Sequence, residues 1–379
     1  MELQQPEKEE GKASRRSALR SAQLRAHPPG DSPRLPKPYE NECRGRTPRL
    51  AGRITGISAL RIALIGPGRT RNGTGEYVAR YLNDLGVRVT AVASSTPASA
   101  DRAAMILARD YAIHAKPYPD ATRMLAAEPA DAVVICSPAD THLSYLRAVL
   151  QSGLHTFCEK PLLGDCDIDS LAGLERLVEG YRAAALVLHE NTQWPYVLAY
   201  FPVLFQQGLP GEIEDFSMEL YPPTNSPPAM AYEAVPHANS MLLALCGRGR
   251  MRALEITKRH DPTSQPRLDI EFDFVSERQA RPTRVTYRLG YRPTQPRPAT
   301  FAINGLRLDR ELENPGYRIY LRAQGRRVRI EDPLLTSLKD FTNAVMTPAG
   351  ERPPSPSDAI LDNARMLWEI VNRVEESMQ

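Results

Sequence analysis

One alternation restricts this chain more than any other feature. Between residues 60 and about 188, short apolar runs take turns with amphipathic stretches of helical period. Arg-Ile-Ala-Leu-Ile at 61–65 reads as a buried strand, and 74–85 as a helix with Val78, Leu82 and Leu85 on one face. Further strands are expected at 87–93, 132–136, 155–158 and 183–188, with helices at 98–111, 121–127, 142–150 and 168–180. Strands that are apolar throughout are covered on both faces, and strands joined through helices run parallel. The pattern predicts an α/β fold, a doubly wound parallel sheet, over residues 59–188.

Beyond about residue 190 the pattern changes to strict alternation. Leu-Asp-Ile-Glu-Phe-Asp-Phe at 268–274 places apolar side chains on one face and acids on the other, and Val285, Tyr287 and Leu289 repeat the pattern. Segments 319–321 and 328–330 flank Gln324-Gly325, a hairpin signal. A helix is expected from 236 to 245. The last, 357–375, is capped by Ser357 and has Ile360, Ala364, Leu367, Val371 and Val374 on one face. Residues 189–379 thus read as an α+β domain with a large, open, mostly antiparallel sheet.

Composition narrows the classes. With 42% hydrophobic and 25% charged residues the chain is neither disordered throughout nor fibrous. Its apolar runs are too short for a membrane span. Five cysteines, Cys43, Cys136, Cys158, Cys166 and Cys246, form no CxxC pair. No metal site is expected, and the compartment is read as reducing and cytoplasmic. The first 60 residues hold twelve Lys and Arg against seven Asp and Glu, with seven prolines. Residues 1–58 therefore read as an unstructured or misassigned start. Their scattered arginines, without interleaved aromatics, argue against nucleic acid.

The first strand runs into Gly66-Pro67-Gly68 and then a helix. Glycine at such a turn lets the backbone approach a pyrophosphate, and the helix N-terminus adds free N–H groups. A third glycine is due at 71, where Arg71 stands, so Gly75 takes its place after a longer loop. Arg69 can pair with phosphate. The second strand ends in Ser94-Ser95-Thr96 without the acid that holds a ribose 2′-hydroxyl, and Arg102 follows. This favours NADP over NAD.

Two further strand ends carry polar motifs: Cys136-Ser137-Pro138-Ala139-Asp140-Thr141-His142, and Cys158-Glu159-Lys160-Pro161. Doubly wound sheets bind ligands at these carboxyl ends, and a lysine there can offer a charge or a proton to a substrate oxygen. Strand–GxG–helix, Ser-Pro-x-x-x-His, Glu-Lys-Pro and a following antiparallel sheet together resemble the glucose–fructose oxidoreductase / inositol dehydrogenase / rhizopine catabolism (Gfo/Idh/MocA) family over residues 60–379.

The resemblance implies a Rossmann domain, an NAD(P)-dependent oxidoreductase acting on sugars, cyclitols or related hydroxyl and carbonyl compounds, and dimers or tetramers through the open sheet. It implies that Ser137, Pro138, His142, Glu159 and Lys160 surround the cofactor, with Lys160 also on the substrate. The family's Asp-x-x-x-His is matched by Glu233-Ala-Val-Pro-His237. His237 then takes the acid/base role with Glu233 in place of the aspartate. Because Pro236 disfavours helix at Val235, Glu233 is expected on the entering loop. His237 is then expected in a first helical turn, its imidazole kept neutral by the dipole. Asn191 and Gln193 are candidate partners for substrate hydroxyls, and Trp194 for a wall under a sugar face. A non-catalytic dinucleotide-binding regulator or partner protein is the alternative function on the same fold.

Overall fold

The computed structural model describes residues 60–68, 74–314, 316–352 and 357–378. The expected tail at 1–58 and Arg69 in the glycine loop lie outside the described residues.

The first half alternates as its sequence pattern requires. It runs β1 (Arg61–Ile65), α1 (Gly75–Asp84), β2 (Arg88–Ala93), α2 (Pro97–Tyr111), β3 (Lys116–Tyr118), α3 (Ala121–Ala127), β4 (Ala132–Ile135), α4 (His142–Gln151), β5 (His155–Glu159), α5 (Ile168–Ala183) and β6 (Leu188–Asn191). All pairs are parallel, in the order β3-β2-β1-β4-β5-β6. Local chemistry starts the helices. Thr96 accepts from Ser99 N ahead of Pro97, Asp120 from Arg123 N, and Asp167 from Ser170 N. The strand expected at 183–188 is a correction: Ala183 is still helical, and the sixth strand begins only at Leu188. Apolar residues there could serve either element, and the turn at Ala184–Ala185 sets the boundary.

The second half contains a 3₁₀ segment (Trp194–Tyr200), α6 (Phe201–Phe205), β7 (Asp215–Leu220), α7 (Pro227–Cys246), β8 (Gly249–His260), β9 (Pro266–Ser276), β10 (Thr283–Gly290), β11 (Ala299–Ile303), β12 (Leu306–Glu313), β13 (Arg318–Ala323), β14 (Arg326–Ile330), α8 (Pro333–Met346) and α9 (Ser357–Glu376). Eight strands form one sheet, β14-β13-β12-β11-β7-β10-β9-β8, antiparallel except between β10 and β7. Register follows the alternation: Leu268, Ile270 and Phe272 face Leu289, Tyr287 and Val285 on the buried side. On the other side Asp269 and Asp273 lie opposite Arg288 and Arg284. The expected hairpin at Gln324-Gly325 joins β13 to β14, both residues at positive φ.

α7 overturns the expected helix start. It begins nine residues before Pro236 and carries that proline in its interior. An interior proline forfeits a hydrogen bond at a cost of roughly 3 kcal/mol. Eleven buried residues of α7, packed under the eight-stranded sheet, offset that cost.

The chain returns to the first sheet at its end. Leu334, Leu338 and Phe341 of α8 join the apolar cluster that contains Ile62, Leu64 and Val134. Ile360 and Ala364 of α9 join the cluster on the other face, while Leu367, Ile370 and Val374 of the same helix pack beneath the eight-stranded sheet. This shared packing positions the strand ends of one sheet against α7 of the other. Among the described residues no helix is long and apolar enough to cross a membrane.

Candidate functional site

β1 and β4 are neighbours at the point where the winding of the first sheet reverses, the place where doubly wound sheets bind ligands beyond the carboxyl ends of their strands. Gly66 leaves β1 at φ 78°, and a Cβ there would lie 2.6 Å from Ser137 N. Gly75 opens α1, and a Cβ there would lie 2.3 Å from Gly66 O. Both positions require glycine, Gly66 for its backbone conformation as well as its packing. Gly75 holds the helix against the turn. Gly68 is half-buried in the same turn. At the end of β2, Ser94 is half-buried and Ser95 exposed, with no carboxylate between Arg88 and Ala100. The Thr96 hydroxyl is committed to capping α2.

The next two strand ends are tied together. The Ser137 hydroxyl lies 2.6 Å from that of Thr141, and Pro138 starts the short turn between them. His142 is buried, its Nδ1 2.8 Å from Pro161 O and its Nε2 2.9 Å from Ser137 O. Its ring joins the Ser-Pro turn to the Glu-Lys-Pro turn, leaving no nitrogen for a ligand. That corrects the expectation of direct cofactor contact. Burial lowers its pKa.

Glu159 faces inward. Its Oε1 accepts from Thr74 Oγ1 at 2.5 Å and from Asn191 Nδ2 at 2.8 Å. Burial raises its pKa, and these two donors oppose the rise. One carboxylate thus links the residue before α1, the end of β5 and the end of β6. Asn191 is buried, and its Oδ1 has no hydrogen-bond partner. Beside it, burial pushes Glu190 up to about 7, although Asn363 Nδ2 donates to it at 3.1 Å.

Lys160 crosses to the second half. Its Nζ donates to Glu233 O at 2.7 Å and lies 3.6 Å from Glu233 Oε1, with the side chain 11% exposed. Glu233 and His237 stand one turn apart on α7, not on loop and helix as the sequence suggested. His237 Nδ1 is buried without a partner. Its pKa is held well below the ordinary value by burial first, then by Lys160 and Arg310. Neutrality was expected, but from a helix N-terminus; His237 sits in the middle of α7, where the dipole has little effect.

Gln193 is half-buried at the start of the 3₁₀ segment. Trp194 is not the expected wall. It is 6% exposed in the core of the second half, edge-on to Phe301 and covered by the Arg310 guanidinium 5.0 Å from its ring.

Arg310 itself was missed, although the sequence held a signal. Leu306, Leu308 and Leu312 mark one face of β12, and Arg310 falls in phase with them. Thr74 and the pair formed by Tyr81 Oη and Asp332 Oδ2, 2.7 Å apart, had no comparable signal.

Residues 60–192 match the model of the Gfo/Idh/MocA oxidoreductase family, described as an NAD-binding Rossmann fold. Inositol 2-dehydrogenase from Rhizobium meliloti is 29% identical over 169 residues, 44% of this chain and 47% of that protein. The enzyme of the same name from Paracoccus denitrificans is 32% identical over 127 residues, 33% of this chain and 34% of that protein. The chain spans less than half the length of these curated relatives. Among solved structures, UDP-N-acetylglucosamine 3-dehydrogenase from Acidithiobacillus ferrooxidans superposes with a TM-score of 0.62 at 17% identity, covering 85% of this chain and 100% of that one. A 3-ketoreductase from Actinomadura kijaniata in complex with NADP gives 0.58 at 19% identity, over 84% and 97%. These structural likenesses carry the fold, and residues 60–192 match the model of the Gfo/Idh/MocA oxidoreductase family.

Proposed function

We propose that this protein is an NAD(P)-dependent oxidoreductase that interconverts a hydroxyl and a carbonyl on a polyol or sugar-like compound. The observation that carries the reading is the convergence of Lys160, bound to Glu233 O, with His237 one turn further along α7. The dinucleotide is supported by Gly66 and Gly75, whose missing Cβ atoms let the β1–α1 turn pack closely against Ser137 and the start of α1 at the switch point. The names of the relatives, inositol 2-dehydrogenases, support the substrate class.

When bound, a nicotinamide ring supplies or accepts the hydride. Lys160 keeps one donor on Glu233 O and directs another at the substrate oxygen, stabilising negative charge there. His237, neutral, takes the hydroxyl proton in the oxidative direction. Burial and two nearby cations disfavour the resulting imidazolium, so the proton passes on to solvent. Asn191 Oδ1 and Gln193 accept from substrate hydroxyls. Gly68, Ser137 and Pro138 border the cofactor, Glu159 holds the turn through Thr74, and His142 positions both turns from behind. At the end of β2, Ser94 and Ser95 tolerate a 2′-phosphate that a carboxylate would repel, so the reading extends to NADP over NAD. Assembly through the outer face of the eight-stranded sheet, as a dimer or tetramer, belongs to the same reading.

The test is calorimetry with all four pyridine dinucleotides, followed by absorbance of reduced nicotinamide across a panel of polyols. Binding with turnover is expected. Binding without turnover favours the regulator, and no heat with any dinucleotide overturns the reading.

A further inference from the structure

Arg310 stands where the alternation of β12 calls for an apolar side chain, on the face that packs beneath the sheet. A charge there is costly unless it is paired. Among the described residues its hydrogen bonding runs to a carbonyl and not a carboxylate: Nη2 donates to Arg297 O at 3.2 Å, and Nε is buried without a partner. Asp332, a carboxylate close enough to act on it, is occupied by Tyr81 Oη at 2.7 Å and Leu334 N at 2.9 Å. Arg297 is similar, with Nε on Arg292 O and Nη2 on Pro293 O. The Trp194 ring fixes the Arg310 guanidinium from one side. Arg310 is also near enough to His237 to disfavour its protonation.

Arg310 near the proposed acid/base residue, and Arg297 beside Arg310, have unused donors and no hydrogen bond to a carboxylate, although Glu233 lies close enough to Arg297 to act on it; together they form a site awaiting an anion. We propose that Arg310 and Arg297 bind an anionic group of the substrate, so that the compound turned over carries a carboxylate or a phosphoryl group besides its reacting hydroxyl. The site lies on β12 and on the segment that enters β11, whereas the dinucleotide phosphates belong at Gly66 and Gly75. The inference rests on the proposed oxidoreductase reading for the word substrate, but not for the anion site itself.

The experiment measures thermal unfolding of the protein, with and without saturating NADP⁺, against gluconate, glucose 6-phosphate and neutral myo-inositol at equal ionic strength. At least one of the two anions should raise the melting temperature at concentrations where myo-inositol does not; which one does so separates a carboxylate from a phosphoryl group. Arg310→Met should weaken that anion's binding about 10- to 100-fold, the worth of a charged hydrogen bond. Arg310→Met should melt no lower than the parent without ligand, because it relieves an unpaired buried charge. Arg297→Gln, at a more exposed position, should weaken binding about threefold to tenfold and serves if Arg310→Met does not fold. Equal stabilisation by neutral and anionic compounds, or unchanged anion binding in the variants, overturns the proposal. So does a ligand-free Arg310→Met that folds but melts lower. Failure of dinucleotide binding alone removes the oxidoreductase reading and leaves the anion result standing.

Discussion

The central strands β1 and β4 of the six-stranded sheet are buried on both faces, while β9 and β10 of the eight-stranded sheet alternate between a core and a charged outer surface. In the first sheet no side chain can leave the middle of a strand to meet a ligand. Recognition falls to the strand ends, to glycine and backbone at Gly66 and Gly75, with short tethers such as Thr74–Glu159–Asn191 behind them. In the second, the proposed recognition comes from side chains, His237 on the covering helix and Arg310 on the strand face beneath it. The lesson is that a sheet covered on both sides positions a ligand through its edge, whereas one covered on one side can place charge from within its core face.

That contrast can be broken, beginning with the largest effect. Lys160→Met should lower kcat/KM about 10³-fold, in the range for removing a proton-transfer or charge-stabilising group. Dinucleotide affinity should change little, since the strand-end backbone is intact. Comparable losses in both would mean that Lys160 shapes the edge itself.

The first sheet should also be the acid-sensitive one. Burial holds His189, stacked on Phe157, at about 4. The unfolded chain protonates first, near pH 6.5, so this contribution is complete above that value and is lost as pH falls toward 4. It amounts to something on the order of 3 kcal/mol. His189→Phe should flatten the fall of melting temperature across that window; an unchanged slope would remove His189 from the account.

Gly75→Ala sharpens the backbone side of the comparison. Its Cβ would press on Gly66 O at 2.3 Å, whereas Gly208 has open space around it. Gly75→Ala should weaken dinucleotide binding about 20-fold, for roughly 2 kcal/mol of overpacking, and Gly208→Ala should leave it unchanged. The smallest effect is expected at Ser95→Asp. A carboxylate there should shift the ratio of NADP to NAD affinity about tenfold toward NAD, a difference of about 1.4 kcal/mol. No shift would show that the end of β2 does not select the cofactor.

Much of this protein is written locally. The period of two or 3.6, the turn glycines and the caps are properties of neighbouring residues. Strands β1, β2, β4 and β5, the hairpin at Gln324-Gly325 and the place of Lys160 at a strand end could therefore be read in advance, whereas the short edge strand β3 and the mid-helix position of His237 could not. Other features were decided only by what covers what. Pro236 remains inside α7 because tertiary burial outweighs its local cost, and this puts Glu233 one turn from His237. Trp194 belongs to the core and His142 behind the turns because their neighbours arrive from distant parts of the chain. Arg310 breaks an alternation visible in the sequence, but whether a carboxylate neutralises it depends on residues brought close only by the folded chain.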